Sequence, residues 1–433
     1  MGVKVTVLAS HFVRRGMESN NASPAPEGLT FAYFSDGYDN GVTLSMDLNH
    51  FRSEFKSRST KAMVELITAS ANEGLPIICV VYGMLLSWAA QVARDFNITS
   101  APLWVQPAAI FDIYYYYFNG HGDEIRKIST DNSSSSQVTL AGLPPLTRRD
   151  LPTYMLPSKS ANPFALPAFE EQLETLDAEL KKPTVLVNTF DSLEEEALGA
   201  IDKYNLFAIG PLIPQALLDG KDNSDTTYGC DLVQKSRIDG IVEWLDAKPR
   251  LSVVYVSFGS FLGVSDQQME EIARGLLESQ RPFLWVIKDT ENGNKLSCRE
   301  ELERQGMIVP WCSQVEVLSH PSSGCFVTHC GWNSSLETLA CGVPVVGLPL
   351  FTDQPINAKL LVDTFKIGVR LTVNEQGIAE RDEVKRCIEV VMGEGEKREE
   401  IRRNAEKWKE LAKDATKEGG SSHVNLKAFV GDF

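Results

Sequence analysis

The sequence predicts an α/β protein of two domains, each built on a doubly wound parallel sheet. Three observations carry that expectation. The chain has 433 residues, too many for a single hydrophobic core. Continuous apolar runs such as PIICVVYG (Pro76 to Gly83) recur between helical stretches, the pattern of strands buried on both faces of a parallel sheet. GCFVTHCGWNSSLETLA (Gly324 to Ala340) sets a strand, a glycine turn and a helix in immediate succession. Such a junction turns unpaired backbone N–H groups and the positive end of a helix dipole toward one point, an anion site.

In the first half, Val3 to Ser10 and Gly28 to Gly37 read as strands, followed by a polar helix over Phe51 to Asn72. The strand Pro76 to Gly83, the helix Leu86 to Phe96, the strand Ala101 to Gln106 and the helix Ala109 to Phe118 continue the alternation. Residues 128–163 are rich in Ser, Thr and Pro and read as a loop. A helix over Leu166 to Lys182, a strand over Thr184 to Phe190, a helix capped by Ser192 and a strand over Leu206 to Leu212 complete this half. Residues 213–235 are polar and turn-rich and read as the linker, so the domains are expected at 1–235 and 236–433.

The second half opens with the strand Ser252 to Ser260, then a helix capped by Ser265 with Gln268 at the capping-box position. PFLWVIK and MIVP supply further strand signals. After Gly324 to His329, either Asn333 or Ser334 is expected as the N-cap of a helix with Glu337 in its first turn. Gly342 to Leu350 repeats the strand pattern and ends at Asp353-Gln354, a carboxylate beside an amide, suited to sugar hydroxyls. Trp311 offers a flat face on which a base can stack. Helices from Asn357, Glu380 and Glu399 onward follow, the last of them amphipathic.

The stretch from Trp311 to Gln354 closely resembles the nucleotide-sugar signature box of plant family-1 UDP-glycosyltransferases, with Phe351 where the family often has Trp. The resemblance extends over essentially the whole chain. SDGYDNG, IYYYYFNG and TVLVNTFDSLE are similar to the crocetin and anthocyanin 5-O-glucosyltransferase branch in particular. It implies the GT-B arrangement, two facing Rossmann-like domains with the ligand cleft between them and the last helix packing back on the first. It also implies that Trp311 stacks on uracil while the Cys312 backbone bonds its edge. Gln314 and Glu337 would hold the ribose. Ser260, His329, Asn333 and Ser334 would bind the diphosphate, and Trp332, Asp353 and Gln354 the sugar. The implied reaction is inverting, metal-independent transfer from UDP-glucose, with no cofactor, to a small aromatic or polyene acceptor such as a flavonoid, anthocyanin or apocarotenoid. The tyrosines Tyr114 to Tyr117 are candidates for contact with such an acceptor.

Other features narrow the field. The formal net charge of −16 argues against nucleic acid and anionic membranes as partners. No apolar run approaches the roughly 18 residues of a membrane helix. Eight cysteines without a CxxC read as reduced thiols of a cytoplasmic protein, and a monomer is expected. There is no Asp-x-Asp, no GxGxxG after a strand and no GxSxG. The family's base is a His in a Pro-x-x-Gly-His loop after its first strand, and no segment here matches that loop. Gly83 stands at the position of the Asp that orients the base. No catalytic residue is therefore identified. Impaired catalysis, a gap in the first domain's sheet and, as an alternative function, a non-catalytic UDP-sugar-binding module are the corresponding expectations.

Overall fold

The computed structural model describes residues 3–19, 27–41, 47–131, 136–157, 165–214, 240–259, 264–288 and 296–431. The expected linker falls almost wholly outside them. In the second half, six parallel strands form one sheet: β9 (Val253–Ser257), β10 (Phe283–Val286), β11 (Met307–Val309), β12 (Ser323–Thr328), β13 (Val345–Gly347) and β14 (Gly368–Arg370). Their order is β11-β10-β9-β12-β13-β14. The chain first winds one way from β9 and then returns to its other side, which opens a crevice at the C-terminal ends of β9 and β12. These strands are apolar and buried; Val253, Val254, Val256, Cys325, Phe326 and Val327 are all 0% exposed.

The first half carries a four-stranded parallel sheet of order β3-β4-β7-β8: β3 (Cys79–Gly83), β4 (Thr99–Trp104), β7 (Thr184–Val187) and β8 (Asn205–Ala208). A separate parallel pair joins β1 (Val5–Ser10) to β2 (Leu29–Phe34). The sheet is thus divided, and the expected burial of both faces of Pro76 to Gly83 does not hold. β3 ends its sheet, leaving Ile78 56% and Val81 48% exposed, and on β1 Val5 is 49% exposed. The helix His11–Ser19 begins directly after β1, where the sequence reading placed only a strand end.

Several local expectations are corrected. The stretch 128–163 is not a plain loop: it holds the end of the helix Gly122–Thr130, the hairpin β5 (Gln137–Val138) and β6 (Leu146–Thr147), and 3-10 turns at Arg148–Asp150 and Thr153–Met155. Ser192 caps no helix; the short helix Glu195–Leu198 starts from Glu194. The Glu194 side chain instead accepts hydrogen bonds at 3.0 Å from the N–H groups of Ala108 and Ala109. It thereby closes the N-terminus of the helix Ala108–Phe118, whose own N-cap, Pro107, provides no side-chain bond. The Gln268 side chain does not complete a capping box with Ser265; both its polar atoms bond the backbone of Ala379.

One turn beyond Ala108, Asp112 is 0% exposed, and neither carboxylate oxygen meets a hydrogen-bond partner among the described residues. Burial first, and the neighbouring Glu194 second, push its pKa well above the usual carboxylate range. The native state therefore holds a proton that the unfolded chain releases above about pH 4. Stability is lost as pH rises from there toward the native pKa. Asp112→Asn should flatten this decline, its effect being more favourable at pH 8 than at pH 5 by about 1.4 kcal/mol for each unit by which the native pKa exceeds 5, up to pH 8. Urea unfolding at the two pH values checks it; an equal effect of the substitution at both would refute a protonated Asp112.

The two halves meet closely. The helix Glu396–Thr416 lies against the helix Trp332–Cys341, and its Trp408 approaches Phe190 of the first half. The following helix, Ser421–Gly431, docks on β8; Asn425 donates to the Ala208 carbonyl at 2.9 Å, and Phe429 packs with Ala101 and Leu186. The amphipathic run from Glu399 stays mainly on the second half, and this last helix makes the return contact.

Candidate functional site

The site forms where β9 and β12 end. His329 follows β12, and its imidazole is cradled by two glycines. A Cβ at Gly331 would lie 2.5 Å from His329 Nε2, and one at Gly259 would lie 2.7 Å away. Any side chain at either position would strike the ring. Burial, aided by Lys288 and opposed by the Ser257 backbone, pulls the His329 pKa down to about 4. The imidazole is therefore neutral at physiological pH and can donate one hydrogen bond without bringing a charge.

Gly331, not Asn333 or Ser334, is the N-cap of the ten-residue helix Trp332–Cys341, and no side chain caps it. Cys330 adopts a left-handed backbone (φ 64°), which turns the chain from the strand straight into the helix at Gly331. Glu337 consequently lies in the second turn. The helix start leaves its first N–H groups directed at the mouth of the crevice, beside His329. Asn333 is exposed there, and Ser334 is nearly buried.

A polar network borders this point. Gln314, the first residue of the helix Gln314–Ser319, donates to Ser334 Oγ at 2.8 Å and to Glu337 Oε2 at 2.5 Å. The Tyr255 hydroxyl donates to Gln314 Oε1 at 3.4 Å and lies 3.6 Å from Cys312 Sγ. Glu337 is thereby fixed as a carboxylate acceptor within reach of the helix start, the geometry that suits a vicinal diol. Trp311 precedes Cys312 at the same edge and is partly exposed.

On the opposite side, Asp353 accepts from Asn357 Nδ2 at 2.8 Å and from Thr352 Oγ1 at 2.6 Å. Gln354 Oε1 accepts from the N–H groups of Leu350 and Phe351. Asn357 also donates to the Cys330 carbonyl at 2.9 Å, which links this loop to the His329 turn. Trp332 is 3% exposed, and its indole donates to the Asn188 carbonyl of the first half at 2.7 Å. Its side chain serves the junction between halves, so a sugar can meet only its backbone. Ser260 lies outside the described residues.

Of the tyrosine run, Tyr114 is 1% exposed and stacks on Phe169 with ring centroids 4.0 Å apart. Tyr115 meets Tyr204, Tyr116 meets His121, and Tyr117 meets Phe118. The remaining histidines are placed elsewhere or committed locally. His11 stacks on Tyr33, His121 pairs with Glu124, His320 bonds Asp246 and Ser322, and His423 accepts from the Gly419 N–H. Gly83 closes β3, and a Cβ there would meet only Leu86, at 3.7 Å.

The contact between Thr153 and Thr352, described below, escaped the sequence reading because the two residues lie 199 positions apart. No disulfide joins any of the seven cysteines among the described residues, and no described helix is long and apolar enough to cross a membrane.

Residues 228–413 match the model of the UDP-glucoronosyl and UDP-glucosyl transferase family. The chain is 56% identical to the crocetin glucosyltransferase, chloroplastic, of Gardenia jasminoides, over 100% of this chain and 92% of that protein. It is 51% identical to the anthocyanidin 3-O-glucoside 5-O-glucosyltransferase of Verbena hybrida, over 99% of this chain and 92% of that one. The crystal structure of Os79 from O. sativa in complex with UDP matches at 31% identity with a TM-score of 0.85, covering 100% of this chain and 94% of that one. The chain belongs to the plant family-1 UDP-glycosyltransferases and has their GT-B fold.

Proposed function

We propose that this UDP-glycosyltransferase moves glucose from UDP-glucose, with inversion, to a hydroxyl or carboxyl of a small plant secondary metabolite of the flavonoid, anthocyanin or apocarotenoid type. The observation that carries the reading is the neutral His329, seated between two glycines beside an open helix N-terminus. Diphosphate binds at this point, with Ser260, Asn333 and Ser334 as further donors. Trp311 stacks on the uracil, the Cys312 backbone bonds its edge, Gln314 and Glu337 hold the ribose, and Asp353, Gln354 and the Trp332 backbone take the glucose. The acceptor enters at the seam where Tyr154 of the first domain meets Phe351 of the second. The relatives named above are glucosyltransferases, which favours an enzyme over a non-catalytic binding module.

With glucose held by side chains and helix-end dipoles, UDP departs with the diphosphate charge met by His329 and the helix start. The acceptor oxygen attacks the anomeric carbon as the bond to UDP breaks, and its proton passes to a base. None of the described residues is assigned that role. We place the enzyme in the cytoplasm, on the scatter of cysteines without a CxxC or, among the described residues, a disulfide, and expect a monomer. The Gardenia relative, by its name, is chloroplastic.

The test is calorimetry of donor binding. Trp311→Ala should weaken UDP and UDP-glucose by the same factor, about 1–3 kcal/mol for a base–aromatic stack. UDP-galactose should bind the unmodified protein more weakly than UDP-glucose. Unchanged affinity in the variant would overturn the uracil assignment, and equal or tighter UDP-galactose binding would overturn the choice of sugar.

A further inference from the structure

Asp353 is held by its neighbour Thr352, and Thr352 is held by the other domain. The backbone N–H of Thr153 donates to the Thr352 carbonyl at 2.9 Å, and the Thr153 hydroxyl accepts from the Thr352 N–H at 2.9 Å. Both backbone groups of Thr352 are thus engaged by one residue of the first domain. Thr153 is 2% exposed and opens a 3-10 turn, so it forms a fixed point. Thr352 sits at φ 56°, a left-handed conformation that a β-branched residue adopts rarely and only when its surroundings impose it. From that conformation its hydroxyl donates to Asp353 Oδ1 at 2.6 Å. Beside this contact, Tyr154 meets Phe351 edge-on at 5.5 Å.

We infer that Thr153 is a positioning residue for the donor sugar: by clamping Thr352 from the acceptor domain, it aims the Asp353 carboxylate at the glucose. The inference rests on the proposed assignment of Asp353 to the sugar. Its consequence is selective. The uridine and diphosphate contacts lie on Trp311–Gln314 and His329–Glu337, which Thr153 does not touch. The clamp therefore governs only the affinity that glucose adds to UDP.

The experiment compares UDP with UDP-glucose by calorimetry in Thr153→Val, Thr153→Ser and Asp353→Asn. Thr153→Val keeps the backbone bond but removes the acceptor, leaving the Thr352 N–H without that partner in a half-buried contact. UDP-glucose should weaken about 5- to 30-fold, the range expected for one lost, partly buried hydrogen bond, while UDP changes less than about twofold. Thr153→Ser restores the hydroxyl and should return the glucose increment. Equal loss for both ligands would make Thr153 merely structural and overturn the inference. If Asp353→Asn abolishes the increment and Thr153→Val leaves it intact, the inference alone fails. If Asp353→Asn has no effect, the sugar assignment beneath it fails. Thr352→Val breaks the same chain of contacts from the other side and should reproduce the selective loss should Thr153→Val not fold; a folded Thr352→Val with an intact increment would also overturn the inference.

Discussion

Replacing Arg370 by Met is expected to destabilise the protein by about 3–5 kcal/mol, the cost of leaving a buried charge without its partner. Asp150 is 1% exposed and accepts from Arg370 Nη1 at 3.0 Å, from the Thr147 N–H at 3.0 Å and from Thr147 Oγ1 at 2.7 Å. Arg370 Nη2 also donates to the Arg149 carbonyl at 2.7 Å. The pair joins β14 of the second half to the 3-10 turn Arg148–Asp150 of the first. Losing the guanidinium removes the cation that hydrogen-bonds the carboxylate, and Lys359, 3.6 Å from Asp150 Oδ2, with the largely exposed Arg149, 3.7 Å from Oδ1, offsets only part of the loss. The larger effect is therefore expected from removing the cation alone. Adding Asp150→Asn removes the stranded charge while its amide oxygen can still accept from Thr147. The double variant should recover most of the loss, with a coupling of at least about 1 kcal/mol in urea unfolding. Additive single effects would mean that the pair does not act as a buried unit.

That interdomain contact also marks what the sequence could not disclose. The second half was legible because its strands are continuous β-branched runs and its box fixes a strand, a turn and a helix within a few residues. GCFVTH became β12, and SVVYVS became β9, nearly as read. The errors arose where a distant partner outbid local propensity. Ser265 with Gln268 is a locally sound capping box, yet Gln268 bonds Ala379, 111 positions away. Asn333 and Ser334 are good caps by composition, but the left-handed Cys330 ends the turn early and makes Gly331 the cap. Residues 128–163 look like a solvated loop because the groups that bury Asp150 and Thr153 lie on Arg370, Lys359 and Thr352. The exposure of Val81 and Val5 was equally invisible, since an apolar alternation does not reveal which edge lacks a neighbour. At the site, the sequence set His329 at a strand tip and the resemblance named Gln314 and Glu337, whereas the place of the Trp332 indole at the domain junction needed the three-dimensional fold.

Gly331→Ala is expected to weaken UDP binding by about 10- to 150-fold, the loss of one charge-assisted hydrogen bond of roughly 1.5–3 kcal/mol. The backbone at Gly331 is ordinary (φ −60°), so alanine introduces no conformational strain. Only space is lost. The new methyl would lie 2.5 Å from His329 Nε2 and must drive the ring away from the helix start. Stability should therefore change little while affinity falls. Gly259→Ala makes the complementary case, because its φ of 80° adds backbone strain to the same collision, and it should lower both stability and affinity. A second signature follows from protonation. Burial holds the free His329 near pKa 4, and a bound diphosphate would raise that value through its negative charge. Near pH 5 the unmodified protein should take up protons on binding UDP, measurable by calorimetry in buffers of different ionisation enthalpy. In Gly331→Ala, with the imidazole displaced, that uptake should shrink along with the affinity. Wild-type affinity and wild-type proton uptake in the variant would show that His329 does not meet the diphosphate.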